Sequence, residues 1–223
     1  MYACYIVFNA EQTLEESLNS IVPYVEKVVI IDGAFRDYPH KFPYSTDQTK
    51  EIAVKVCGEK LIWIDCGAKA WIGQVTKRNE YLKHVPIGEW FIVIDADEVL
   101  KGNLRYAFRT ALRHDRANYY TCLGIKIVNF RPKCGDDLTG MDAERWSSVE
   151  WVRNVGVGTR LYRKVKGMTY RTHHSKIYCG MRLVSRSQKM VHGVELVNLK
   201  CRKTLEEYQK GLIYRERRPK PDL

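Results

Sequence analysis

The stretch Trp90-Phe91-Ile92-Val93-Ile94-Asp95-Ala96-Asp97-Glu98-Val99-Leu100 restricts the fold more than any other part of this 223-residue chain. An unbroken apolar run closed by acidic residues suits a strand covered on both faces, as in a parallel sheet enclosed by helices. Ligands of such sheets collect at the carboxyl ends of the strands. Side chains alternate along an extended chain, so Asp95 and Asp97 are expected on one side and Ala96 on the other. Two carboxylates placed there can hold a hard divalent cation, which then engages substrate phosphates. The plainer alternative is a solvated loop after a strand, with Glu98 opening a helix.

The residues before this stretch supply the rest of such a sheet. Residues 2–8 are β-branched and aromatic and predict a first strand. Thr13 with Glu16 has capping-box spacing, Leu14, Leu18, Ile21 and Val22 give a helical stripe, and Pro23 stops it. Val28-Val29-Ile30-Ile31 then ends in Asp32-Gly33. Strand, helix and strand within about thirty residues predict a βαβ unit with a right-handed crossover. A polar, aromatic loop at 34–44 follows, either a lid or a spacer. A helix then carries Ile52, Ala53 and Val56, and a third strand runs over 61–65. A helix over 74–84 holds Gln74, Lys77, Arg78 and Asn79. Beyond the acidic stretch come an amphipathic helix over 103–114 and a strand over 119–130. Residues 131–150 show no periodicity, short outer strands are expected near 161–163, 168–170 and 177–178, and a last helix is expected over 204–215.

Hydrophobic residues at 45% and aromatic residues at 11% exclude a disordered chain. No apolar run approaches the ~18 residues of a membrane span. The start at Met1 lacks the basic and apolar segments of a signal peptide. Seven scattered cysteines without a Cys-x-x-Cys pair predict reduced thiols in a cytoplasmic protein. Charge is unevenly placed. Residues 151–223 hold 18 Lys and Arg against 5 Asp and Glu, whereas residues 1–150 hold 19 against 21. An anionic partner is expected near the C-terminal third: a membrane inner face, a phosphorylated substrate or nucleic acid.

The order of these signals resembles family 2 glycosyltransferases. Phe8-Asn9-Ala10-Glu11-Gln12-Thr13-Leu14 resembles their opening turn, and Val29-Ile30-Ile31-Asp32-Gly33 their second strand. Ser45-Thr46-Asp47-Gln48-Thr49 resembles the Ser-Thr-Asp-Gly-Thr that usually follows directly, here separated by the 34–44 loop. Lys77-Arg78-Asn79 resembles the Arg-Asn before the metal strand, Asp95-Ala96-Asp97 the Asp-x-Asp, and Thr159-Arg160-Leu161-Tyr162-Arg163 with His174 a later segment.

This resemblance implies a single GT-A domain: an α/β fold with a Rossmann-like, mostly parallel central sheet flanked by helices and a small antiparallel acceptor-side portion. The nucleotide-binding half would cover about 1–115, the acceptor half about 116–200, and a basic helix and tail the remainder. It also implies a metal-dependent, inverting transfer from a UDP- or GDP-sugar to a glycan or lipid-linked acceptor. Phe8, Asn9, Glu11, Asp32 and Gly33 would surround the base. Gln74 and Arg78 would face the donor from the helix, with Arg78 on phosphate, and Asp95, Ala96 and Asp97 would face ribose and metal. Asp95, Asp97 and His174 are the expected ligands of Mn²⁺ or Mg²⁺; His173 and His192 are weaker alternatives.

Inversion needs a carboxylate base. Asp136, Asp137, Asp142, Glu144 and Glu150 are available, with Asp142 and Glu144 preferred because Trp146 and Trp151 nearby could stack on a sugar. Gly156-Val157-Gly158-Thr159-Arg160 also resembles the phosphate loop of sugar nucleotidyltransferases, a competing reading. A basic module binding nucleic acid or membrane is another, and no recognition helix, aromatic RNA platform or zinc knuckle supports the nucleic-acid form.

Overall fold

The computed structural model describes residues 1–113, 122–133, 138–171, 176–184, 190–199, 205–206 and 208–209. In chain order the elements are β1 (Tyr2–Val7), α1 (Glu11–Ile21), β2 (Lys27–Asp32), α2 (Thr49–Cys57), β3 (Leu61–Ile64), α3 (Gln74–Lys83) and β4 (Trp90–Val93). There follow β5 (Glu98–Gly102), α4 (Leu104–Leu112), β6 (Cys122–Pro132), α5 (Ala143–Ser147), β7 (Trp151–Arg163), β8 (Met168–Tyr170), β9 (Ile177–Cys179), β10 (Arg182–Leu183) and β11 (Met190–Asn198).

The continuous apolar runs become strands buried on both faces, as expected. Val28 and Ile30 pack into one core with Leu14, Leu18 and Ile21 of α1. Val29 and Ile31 enter a second core with Tyr81 and Leu82 of α3. Ile92 of β4 belongs to the first core and Phe91 and Val93 to the second. Alternation along a strand therefore feeds two helix layers, one on each face of the sheet.

The sheet has eight strands in the order β3-β2-β1-β4-β7-β6-β11-β5, and a second, antiparallel sheet has the order β10-β9-β8. β3, β2, β1 and β4 run parallel, as do β6 and β11, while β7 lies antiparallel to both β4 and β6, and β5 to β11. The expected α/β class is borne out, with a mostly parallel central sheet, flanking helices and a small antiparallel portion. Because the chain moves outward from β1 to β3 and then returns to β4 on the other side of β1, its direction reverses between β1 and β4. In open α/β sheets that reversal opens a crevice at the carboxyl ends of the two strands.

Several local expectations are corrected. α1 begins at Glu11, and Thr13 lies buried within its first turn rather than capping it. The cap comes from a distant segment, where Asp47 Oδ2 accepts the Glu11 N–H at 3.1 Å. β4 stops at Val93, so Asp95 and Asp97 lie in a tight turn in which Glu98 N–H donates to Asp95 O at 2.9 Å. Glu98 opens a strand, not a helix. The irregular stretch contains α5, with Asp142 Oδ1 accepting the Arg145 N–H at 2.8 Å as its N-cap. Gly156 and Gly158 lie inside β7, paired with Ile127 and Ile125, so they form no phosphate loop. The expected helix over 204–215 falls almost wholly outside the described residues.

Candidate functional site

At the β1/β4 reversal lies a cavity of about 330 Å³. Most of its lining comes from three places: the turn after β1, the acidic turn after β4, and the first turns of α3. Phe8 and Asn9 contribute from the first, Asp95, Ala96 and Asp97 from the second, and Gln74, Lys77 and Arg78 from the third. Phe35 and Tyr38 of the 34–44 loop complete it. Seven residues expected at a site from sequence are thus brought together: Phe8, Asn9, Gln74, Arg78, Asp95, Ala96 and Asp97.

Asn9 takes φ 45°, a left-handed conformation that Asn tolerates better than most residues. The segment at 45–49 holds it there. Asn9 N–H donates to Ser45 Oγ (2.8 Å), and Asn9 Oδ1 accepts Thr46 N–H (2.9 Å). Ala10 N–H donates to Thr49 Oγ1 (2.7 Å). Although the 34–44 loop separates the two motifs in sequence, the fold docks one on the other.

Glu11 belongs to this bracing, accepting Gln48 N–H at 3.0 Å, and does not line the cavity. Asp32 is likewise absent from the lining. It is 2% exposed and accepts both the N–H and the Oγ–H of Ser45, at 3.0 and 2.5 Å. Gly33, at φ 119°, has no room for a side chain: a Cβ there would stand 2.6 Å from Cys66 Sγ. Both residues shape the wall from behind.

The acidic turn is set in a network of opposite charges. Arg78, itself buried, donates from Nη2 to Asp95 Oδ1 at 2.8 Å, and Arg160 Nη2 lies 3.6 Å from Asp95 Oδ2. Arg160 also pairs with Glu98 Oε1, while Glu98 Oε2 accepts Asp95 N–H at 3.0 Å. Burial pushes the Glu98 carboxyl up to about 7, opposed by the Arg160 guanidinium and reinforced by Asp95. Lys77 is a further buried charge. Its Nζ donates to Val7 O and Gly33 O, and burial lowers its pKa to about 7, with Asp32 acting in the opposite sense.

Glu98, Arg160 and Lys77 are given no role at the site by the sequence. Arg160 reaches the site because β7 runs antiparallel to β4 with Ile92 opposite Leu161, a register that alternation alone does not disclose. Lys77 stands in the sequence only as part of the 74–84 helix and the Lys77-Arg78-Asn79 motif. The available signal was its position three residues after Gln74 and beside Arg78, on the same helical face.

Neither a family model nor a curated protein sequence matches the chain. Solved structures that it resembles include S. aureus TarS 1–349 in complex with UDP-GlcNAc, at 20% identity and a TM-score of 0.42 over 59% of this chain and 34% of that one. The same protein in complex with UDP gives 19% identity and a TM-score of 0.41 over 59% and 35%. The chain spans about a third of the length of those structures.

The remaining expected residues lie elsewhere. Asp142 caps α5 and Glu144 lies on it, and neither lines the cavity. Trp146 is 8% exposed and packs its ring against Trp151 and Tyr208, at 5.4 and 5.1 Å, so it offers no open face to a sugar. Asn79 turns toward the small sheet, with its Oδ1 accepting the Tyr170 N–H at 2.7 Å. His192 is exposed on β11. His173, His174, Asp136 and Asp137 fall outside the described residues.

Asp95 and Asp97 are the cavity's carboxylates among the described residues. Among those residues no group of three or more His, Cys, Asp or Glu is arranged to hold a metal ion. This donor set suits Mn²⁺ or Mg²⁺ only as a partial cage, in which substrate phosphate oxygens and water supply the remaining ligands. Both carboxylate oxygens of Asp95 face arginines.

Proposed function

We propose that the chain is a nucleotide-sugar-dependent glycosyltransferase. One observation carries the reading. The turn after β1, the first turns of α3 and the acidic turn after β4 converge on a single cavity at the sheet's reversal point. The three segments are among those that resemble family 2 glycosyltransferases, and the cavity's chemistry suits a donor with a ring at one end and a diphosphate at the other.

In this reading Asp97 holds Mn²⁺ or Mg²⁺, with Asp95 beside it toward the ribose. The cation supplies positive charge where the nucleoside diphosphate leaves. Arg78 and Arg160 hold the acidic turn in place, so Asp97 meets the donor without rearrangement. Arg78 is drawn into positioning Asp95 instead of contacting phosphate directly. The donor is a UDP- or GDP-sugar and the acceptor a hydroxyl of a glycan or lipid-linked sugar, attacked with inversion. The basic C-terminal third, with a net charge of +13 from 18 cations and 5 anions, would meet an acceptor's phosphate or an anionic membrane inner face.

The test is a panel of nucleotide sugars scored by thermal stabilisation and slow donor hydrolysis, with Mn²⁺ or Mg²⁺ and with chelator, for wild type and Asp97→Asn. Metal-dependent stabilisation by one nucleotide class, weakened at least tenfold in Asp97→Asn, is the expected result. No stabilisation by any nucleotide with metal present would overturn the function. Equal binding by Asp97→Asn would overturn the role of Asp97.

A further inference from the structure

Residues 34–44 interrupt a pattern that otherwise runs directly from Asp32-Gly33 into Ser45-Thr46-Asp47. The loop is tied at many points. Ala34 N–H donates to Pro43 O at 2.7 Å and so closes its neck. Trp71 grips it from the far side: Arg36 N–H donates to Trp71 O, Trp71 N–H to Ala34 O, and the indole Nε1–H to Asp32 O, at 2.7, 2.9 and 2.6 Å. Cys66 Sγ–H donates to Pro43 O at 2.9 Å. Beneath it, the Lys77 ammonium sits 5.2 Å from the centre of the Phe35 ring while bonding Gly33 O.

So held, the loop presents aromatic rings to the cavity. Phe35 and Tyr38 are half-buried and line it, and Tyr38 stands edge-to-face with Phe8 at 6.0 Å and 83°. Two rings at a right angle make a corner. A flat ring placed in it stacks on one face and meets the other ring edge-on, both favoured aromatic geometries. The charged groups, Asp95, Asp97 and Arg78, come from other segments of the same cavity lining.

We infer that the 34–44 loop is a fixed specificity wall, not a lid, and that Tyr38, with Phe35 behind it and Phe8 beside it, stacks the aromatic base of the donor nucleotide. This rests on the proposed donor reading and deepens it. Tyr38 is a specificity-determining residue. Its action requires the ring and not the hydroxyl, and the loop's order precedes ligand binding.

The test measures binding of UDP, GDP and inorganic pyrophosphate, each with Mn²⁺, to wild type, Tyr38→Ala, Tyr38→Leu and Tyr38→Phe. Base stacking on an aromatic side chain predicts a loss of roughly tenfold or more for nucleotides in Tyr38→Ala. Pyrophosphate binding stays at the wild-type level, and Tyr38→Phe keeps nucleotide affinity. Should Tyr38→Ala fail to fold, Tyr38→Leu keeps bulk without a π face and carries the same expectation. Unchanged nucleotide affinity in a folded Ala or Leu variant overturns the stacking role while leaving the donor reading intact. An equal loss of pyrophosphate also overturns it, because Tyr38 would then act on the whole cavity. Absence of nucleotide binding by wild type defeats the donor reading itself. Hydrogen exchange on the same samples decides wall against lid: protection at 34–44 that rises sharply with nucleotide overturns the fixed wall.

Discussion

Arg78 Nη2 and Asp95 Oδ1 meet at 2.8 Å across 17 residues of sequence, joining the helix that floors the cavity to the acidic turn above it. Arg78 is 4% exposed at its side chain and Asp95 35%, so the arginine is the buried partner. Arg78→Lys keeps the charge but loses the planar fork. The expected cost is roughly 1.5–3 kcal/mol, the range for hydrogen bonds to charged groups. Urea midpoints of the two proteins measure it. Donor affinity is expected to fall as well, because Asp95 loses one of its two guides.

Lys77 gives the protein a pH signature. Its folded value of about 7 lies below its ordinary 10.5. Between those values the unfolded chain binds a proton that the folded chain does not, so unfolding free energy rises with pH. Buried Cys4 and Tyr5 have raised values and act in the opposite sense at higher pH. The clean window is therefore about pH 7–9. Lys77→Met is expected to be less stable throughout, since Val7 O and Gly33 O lose their donor. Relative to this variant, wild type should gain stability across the window. A constant difference, measured by denaturation at each pH, would contradict the depressed Lys77 value.

Arg160 and Glu98 form the most buried ion pair of the site, at 17% and 2% side-chain exposure. Arg160→Met strands Glu98 beside Asp95 and Asp97, and breaking a buried pair in this way costs about 3–5 kcal/mol. Adding Glu98→Gln removes the stranded charge and keeps an acceptor for Asp95 N–H. The double variant is expected to recover most of the loss, so a double-mutant cycle should give a strong coupling. Simple additivity would show that Arg160 and Glu98 contribute independently of each other and would overturn the coupling.

Asp142 offers a negative control with a positive readout. As the N-cap of α5 it should contribute about 1 kcal/mol to stability. Asp142→Ala is expected to lower the melting temperature while leaving nucleotide binding unchanged. A selective loss of donor affinity would place it at the cavity after all.

What could be read in the sequence was whatever periodicity and strand ends encode. Val28 to Ile31 announced a strand covered on both faces because no residue in it is polar. The turn at 8–9 and the acidic turn at 95–97 were legible because residues at strand ends are where sheets of this kind keep their ligands. What escaped was everything set by partners distant along the chain. Thr13 had the spacing of a cap, but Asp47 does the capping from 36 residues away. Asp32 ends its strand as expected and then turns to Ser45, a partner that the intervening loop hides. Arg160 reaches Glu98 across 62 residues through an antiparallel register. Asp142 and Trp146 looked like sugar-binding chemistry, yet one caps a helix and the other is packed beneath Trp151.

The closed neck between Ala34 and Pro43 separates two kinds of change. A loop whose ends are joined at its base can lengthen, shorten or exchange its tip at small entropic cost. Such a change need not move Asp32, Ser45 or the turn at Asn9, which are fastened to one another below the neck. Donor preference in this fold would therefore be modular: a transplanted 35–42 segment could retune which ring is accepted while the machinery at Asp95 and Asp97 stays as it is.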